Sequence, residues 1–274
     1  MDLQFQNFIN QFQEREQKMP AMFIGHGSPM NGIRDNAYSQ GWVNMAKSLD
    51  APSAVLVISA HWLTRGTHVT AMQNPPTIHD FGGFPDELFQ VQYPAPGSPE
   101  LAKEIQKEIR TTEVGLDHEW GLDHGAWTVV RHMFPDAKIP VLQLSIDYHK
   151  PAQYHYNLAQ QLANLRKKGV LIIGSGNMIH NLRMLDWQNL DNQFGFDWAL
   201  DLNEKFIEII NKKEHHKLFN IDELGAAAKL AIPTPDHYYP LLYSLGLQNG
   251  NDETEIFNNE LVAGAISMTS VKIS

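Results

Sequence analysis

Short continuous apolar runs punctuate this chain from end to end. The runs at 21–24, 54–59, 67–72, 139–146, 170–175 and 266–273 have the length and β-branched content of strands. Between them, apolar residues at helical spacing predict helices over 36–48, 98–110, 124–133, 152–168, 197–212 and 238–245. Strands alternating with helices predict an α/β fold, a single-domain sandwich with a central mixed sheet flanked by helices. No internal repeat, low-complexity tract or Pro/Gly-rich linker splits the chain into halves with separate cores, so residues 19–274 read as one domain. Ahead of it, Phe5, Phe8, Ile9 and Phe12 form one apolar stripe, which predicts an N-terminal docking helix over 1–18.

The residues just beyond the apolar runs point to chemistry. The first run leads into Gly25-His26-Gly27-Ser28-Pro29, the second into Ala60-His61-Trp62, and the fifth into Gly176-Asn177-Met178-Ile179-His180. A further histidine, His237, ends the turn Pro233-Thr234-Pro235-Asp236. Ligands of open α/β sheets gather at the carboxyl ends of the strands, so His26, His61 and His180 can converge although far apart in sequence. Imidazole flanked by small residues has little steric cover, a setting that suits a metal ligand. The stretch 74–99, rich in proline, glycine and aromatics, is too long for a plain connection and reads as an ordered wall over a pocket.

Composition narrows the possibilities. A chain of 274 residues with 43% hydrophobic content can fill a core without staples, so the histidines are free for other work. It has no cysteine, which excludes disulfides and thiolate sites, leaves imidazole and oxygen as metal donors, and makes a reducing cytoplasm the expected compartment. With 21 basic against 31 acidic residues the formal charge is −10, which disfavours nucleic acid as a partner. No apolar stretch reaches the roughly 18 to 20 residues of a membrane span, and no basic-then-apolar leader opens the chain, so no membrane partner is expected. The Gly25–Pro29 turn lacks the lysine of a phosphate loop. Ser28 and Ser175 lie outside a Gly-x-Ser-x-Gly elbow. His68, His118, His132, His149, His155, His215 and His216 lack comparable settings and receive no role, and Met72, Met133 and Met178 read as packing.

Ordered motifs add a resemblance. Gly25-His26-Gly27-Ser28-Pro29-Met30, Ser59-Ala60-His61-Trp62, His79-Asp80-Phe81-Gly82-Gly83-Phe84-Pro85, Asp123-His124-Gly125-Ala126-Trp127, Ser175 to Leu182 and Thr234-Pro235-Asp236-His237-Tyr238 succeed one another along the chain. Together they resemble the class III (LigB-type) extradiol ring-cleavage dioxygenases, most of all the 4,5-DOPA extradiol subgroup of bacteria and betalain-making plants. The resemblance implies that 19–274 is a LigB-type catalytic domain. It further implies one divalent metal ion per chain, O2 as co-substrate, and a small catechol such as DOPA opened next to its diol to a muconic semialdehyde.

Carried onto this sequence, the resemblance makes His26, His61 and His237 metal ligands and puts His180 at or beside the metal. His124 and His180 become acid/base residues, and His79 and Asp80 candidate substrate contacts. The wider class uses two histidines and a carboxylate, whereas this chain offers His237 with Asp236 beside it. An all-histidine shell suits Zn2+ as well as Fe2+, and zinc binds more tightly, so Zn2+ is the expected bound ion and Fe2+ the expected ion for turnover. Neutral imidazole is a suitable base for a catechol hydroxyl near pH 7, and protonated imidazole can return the proton. A zinc-dependent hydrolase using the same histidines is the alternative, and a metal- or amine-binding module without turnover is a third. Asp123 is placed to cap a helix starting at His124, which would give that histidine a structural position.

Overall fold

Six strands build the central sheet: β1 (Ala21–Gly25), β2 (Ala54–Ser59), β3 (Val141–Gln143), β4 (Val170–Gly176), β5 (Thr254–Phe257) and β6 (Ser270–Ile273), in the order β3-β2-β4-β1-β6-β5. The first four run parallel, while β6 is antiparallel to both β1 and β5, so the sheet is mixed as expected. Every residue of β1 to β4 is buried. Parallel strands covered on both faces read as unbroken apolar runs, which is why they stand out in the sequence. The computed structural model describes residues 12–274.

Alternate side chains of these strands enter two separate cores. Phe23, Leu56 and Ile172 pack with helices α2 (Pro99–Glu108), α4 (Ala152–Gln160), α5 (Asp197–Asn211) and α6 (Tyr239–Gly246). Met22, Ile24, Val57 and Ile173 pack on the other face with Trp42 of α1 (Ala37–Lys47) and Trp127 of α3 (His124–Met133). Each such side chain contributes about 1.5–3 kcal/mol by leaving water, so the α/β/α layering results from the pattern.

Three expected elements are broken, the two strands by local competitors. The run 139–146 leaves the sheet after Gln143, because Leu144 bridges Val69 and Ile146–Asp147 pairs with Leu63–Thr64. The run 266–273 divides where the Ser267 and Met268 amides donate to Ile179 and Glu260 carbonyls. The helix expected over 152–168 ends at Gln160 and resumes as Ala163–Lys167. Of the docking helix expected over 1–18, Phe5, Phe8 and Ile9 lie outside the described residues. Residues 12–18 form a turn and bends instead of a helix. There the Arg15 amide donates to the Lys167 carbonyl at 2.8 Å, its guanidinium reaches Ser53 at 2.8 Å, and Phe12 is buried.

One histidine without a role in the sequence belongs to the core. His155 is fully buried, with Nε2 donating to the Lys150 carbonyl at 3.3 Å and Nδ1 accepting from the Tyr243 hydroxyl at 3.0 Å. Burial pushes its pKa down to about 4. An unfolded chain's histidine titrates near 6.5, so on acidification the unfolded state takes up the proton first. The stability this residue contributes is complete above about pH 6.5 and is lost as pH falls toward about 4, roughly 3 kcal/mol in all. The Tm of the metal-free protein should therefore fall across that window, and fall less steeply in His155→Gln; equal slopes would contradict this origin.

Candidate metal centre

The parallel strands end together, and their register decides what meets there. Gly25 pairs with Gly176 and Ser59 with Ser175, on opposite edges of β4. The amides of His26 and Ala60 extend these ladders, donating to the Gly176 and Ser175 carbonyls at 3.1 and 3.0 Å. His26 and His61 thus leave the sheet on either side of one strand, and their Nε2 atoms come within 3.2 Å of each other. His237 is pinned to the exit of β4 by its carbonyl, which accepts the Asn177 amide at 2.9 Å. Gly176 is needed at that crossing, because a Cβ there would collide with the same carbonyl. His180 stacks flat on His237, with ring centroids 3.6 Å apart.

His124 enters from the opposite side as the first residue of α3. Asp123 caps that helix, its Oδ1 accepting the Ala126 amide at 3.1 Å, so the structural and the site placement of His124 are one arrangement. The His124 ring centroid lies 3.8 Å from that of His61. Gly125 permits this approach, since a Cβ would strike Ser59 and the His61 ring.

Outer partners fix the protons on these rings. The Ser175 hydroxyl donates to the Gly125 carbonyl at 2.5 Å and therefore accepts from His26 Nδ1–H at 3.0 Å. His237 Nδ1–H donates to Asp236 at 2.5 Å, and His124 Nδ1–H to Asp80 Oδ2 at 3.0 Å. In the neutral form of each of these three rings Nε2 is then the nitrogen with the free lone pair. The same Asp80 oxygen lies 3.6 Å from His61 Nδ1. Burial, reinforced by the neighbouring imidazoles, holds His26 and His61 well below the usual histidine range. Burial, with His237 adding to it, pushes His180 down to about 3. Burial alone would raise Asp236 and Asp80, yet the hydrogen bonds and charges of His237 and His124 leave both carboxyls below the ordinary carboxylate range.

Neutral imidazoles with bare Nε2 atoms are what a divalent ion requires. Two nitrogens bound tetrahedrally at zinc-like distances would stand roughly 3.3 Å apart, and the His26–His61 separation of 3.2 Å fits that spacing. Among the described residues, His26, His61 and His124 form a trio whose ligand nitrogens all lie within 4.8 Å of one another. The His237 ring centroid is 5.4 Å from that of His26 and 4.9 Å from that of His61.

The site therefore gathers His26, His61, His124, His180 and His237. His79 does not join them: its Nε2 donates to the Val91 carbonyl at 2.9 Å, and its ring rests among Phe81, Phe89 and Trp127. Asp80 is present, but with both oxygens on His124. Loop 74–99 does form a wall, with Phe81 edge-on to His124 at 5.5 Å. Sequence reasoning missed the buried support behind the histidines. The carboxylate of Asp123 accepts from the Ser59 hydroxyl at 2.6 Å and the Gln143 amide at 2.8 Å, and Ser59 in turn accepts the His61 amide. Polar side chains closing wholly apolar strands, as Ser59, Gln143 and Ser175 do, were the available signal.

Residues 20–271 match the family described as "Catalytic LigB subunit of aromatic ring-opening dioxygenase". The chain belongs to the LigB family. It is an oxidoreductase of the dioxygenase type, and its histidines could hold the metal on which LigB dioxygenases depend. Among LigB relatives, "4,5-DOPA dioxygenase extradiol" of Escherichia coli (strain K12) is 46% identical over 261 residues, 93% of this chain and 95% of its own. The protein of that name from Beta vulgaris is 36% identical over 258 residues, covering 92% and 95%. A crystal structure of an uncharacterized protein from Escherichia coli K12 superposes with a TM-score of 0.81 at 41% identity, covering 94% of this chain and all of that one. Among the described residues of this LigB chain, no helix is long and apolar enough to cross a membrane.

Proposed function

We propose that this chain is a 4,5-extradiol dioxygenase that opens DOPA, or a similar small catechol, next to its diol and yields a muconic semialdehyde. The observation that carries this reading is the meeting of five histidines under an aromatic wall at the strand ends, in a chain whose relatives of 46% and 36% identity bear the name 4,5-DOPA dioxygenase extradiol.

His26, His61 and His237 hold one divalent ion through Nε2, with His180 at or beside it. Ligating histidines nearly always carry an outer partner on the second nitrogen, and Ser175, Asp80 and Asp236 stand in those places. The working ion is Fe2+, and Zn2+ competes for the same imidazole shell. When bound, the ion supplies Lewis acidity toward the catechol oxygens and a meeting place for O2 and the ring. His124 accepts a catechol proton on its bare Nε2 and, once protonated, returns it to the product oxygen, while His180, kept neutral by burial, is a second acceptor beside the ion. Phe81 packs on the substrate ring and keeps water out, while His79 contributes by bracing that wall.

Protein loaded anaerobically with Fe2+ and then exposed to air with a catechol panel should consume one O2 per catechol and form a yellow product. Turnover of an ester or amide without O2 uptake would instead support the zinc hydrolase.

A further inference from the structure

Asp80 grips His124 at two points, with His61 Nδ1 farther from it at 3.6 Å. Its Oδ1 accepts the His124 backbone amide at 2.9 Å and its Oδ2 accepts His124 Nδ1–H at 3.0 Å. The loop holding it is itself fastened. Ile78 donates to the Leu122 carbonyl at 2.7 Å, Leu122 to the Pro76 carbonyl at 2.8 Å, and Trp127 Nε1 to the Ile78 carbonyl at 2.8 Å. Both anchors, Leu122 and Trp127, flank His124 in sequence, so the carboxylate and the imidazole are set in one frame.

A carboxylate can only accept hydrogen bonds. Neutral His124 must then carry its proton on Nδ1 and keep the Nε2 lone pair for the site, where the His61 and His26 rings lie 3.8 and 5.7 Å away. The opposite tautomer would set a lone pair against the carboxylate and present an N–H that cannot take a proton. We propose that Asp80 is the positioning residue of His124, fixing its ring and tautomer so that Nε2 accepts the catechol proton, rather than a contact for the substrate. This rests on the acid/base reading of His124.

Ring nitrogen shifts of 15N-histidine-labelled, zinc-loaded protein read the tautomer directly, with the His124 signals identified by their loss in His124→Phe. Wild-type protein should show the Nδ1–H form. Asp80→Asn removes the charge and can offer an N–H to Nδ1, so it should populate the Nε2–H form. In the iron-loaded enzyme the same variant should lower kcat by about 100-fold or more with a much smaller change in KM. An Nε2–H tautomer in wild-type protein overturns the proposal whether or not the variant folds. So does an unchanged tautomer in Asp80→Asn, or a loss confined to KM, which would mark a substrate contact. If His124→Phe keeps full kcat while Asp80→Asn still switches the tautomer, the acid/base reading fails and the hold of Asp80 on His124 stands.

Discussion

His26→Ala and His61→Ala are each expected to lose the bound metal and, with it, all ring-opening activity. The ion would be held by very few protein donors, and a chain without cysteine has no thiolate to replace a lost imidazole. His26 is 1% exposed and its outer partner Ser175 is oriented by the Gly125 carbonyl, so alanine leaves a preformed gap with no replacement ligand. The sheet should not notice: the registers of β1 and β2 against β4 are backbone pairings that end before either side chain. Metal analysis beside circular dichroism separates the two effects, with His68→Ala as a control outside the site. Near-stoichiometric metal in either variant would remove that histidine from the ligand set.

His124→Phe is expected to keep its metal and fold yet lose about 10²- to 10⁴-fold in kcat, the usual worth of a positioned proton acceptor. His180→Ala should lower turnover with at most partial metal loss, because its ring stacks on His237 and lies outside the trio of His26, His61 and His124. Metal content and single-turnover rates at saturating catechol distinguish the roles. The outcome for His124 decides the most, since its ligand nitrogen lies within 4.8 Å of those of His26 and His61. Loss of metal in His124→Phe would make it a ligand and release His237 from that duty, while full activity would leave it as a helix residue only. Complete metal loss in His180→Ala would make that residue an essential ligand.

The parts of this architecture that are legible in sequence are those whose residues are buried on both sides. Strands β1, β2 and β4 are unbroken apolar runs that could hardly be anything else, and each leads to a histidine that reaches the site. Strand β5 is not legible: Thr254–Phe257 is a half-exposed edge whose conformation comes from pairing with β6. The strand Val114–Asp117 likewise exists because Thr67–Thr70 lies beside it. Within the site, motif position identifies the histidines but does not assign what their neighbours do. Asp80 next to His79 looks like a hand for the substrate, and only the fold reveals that each of its oxygens accepts from a residue 44 positions away. His79 looks similar and is occupied by a carbonyl of its own loop.

The position of ring opening is the sharpest check on the extradiol assignment. Iron-loaded protein turned over with DOPA under 18O2 should give a semialdehyde carrying both labelled atoms, its aldehyde carbon derived from an unhydroxylated ring position, as mass and NMR of the product would show. A dicarboxylate formed by cleavage between the two hydroxylated carbons, or a product without label, would contradict it.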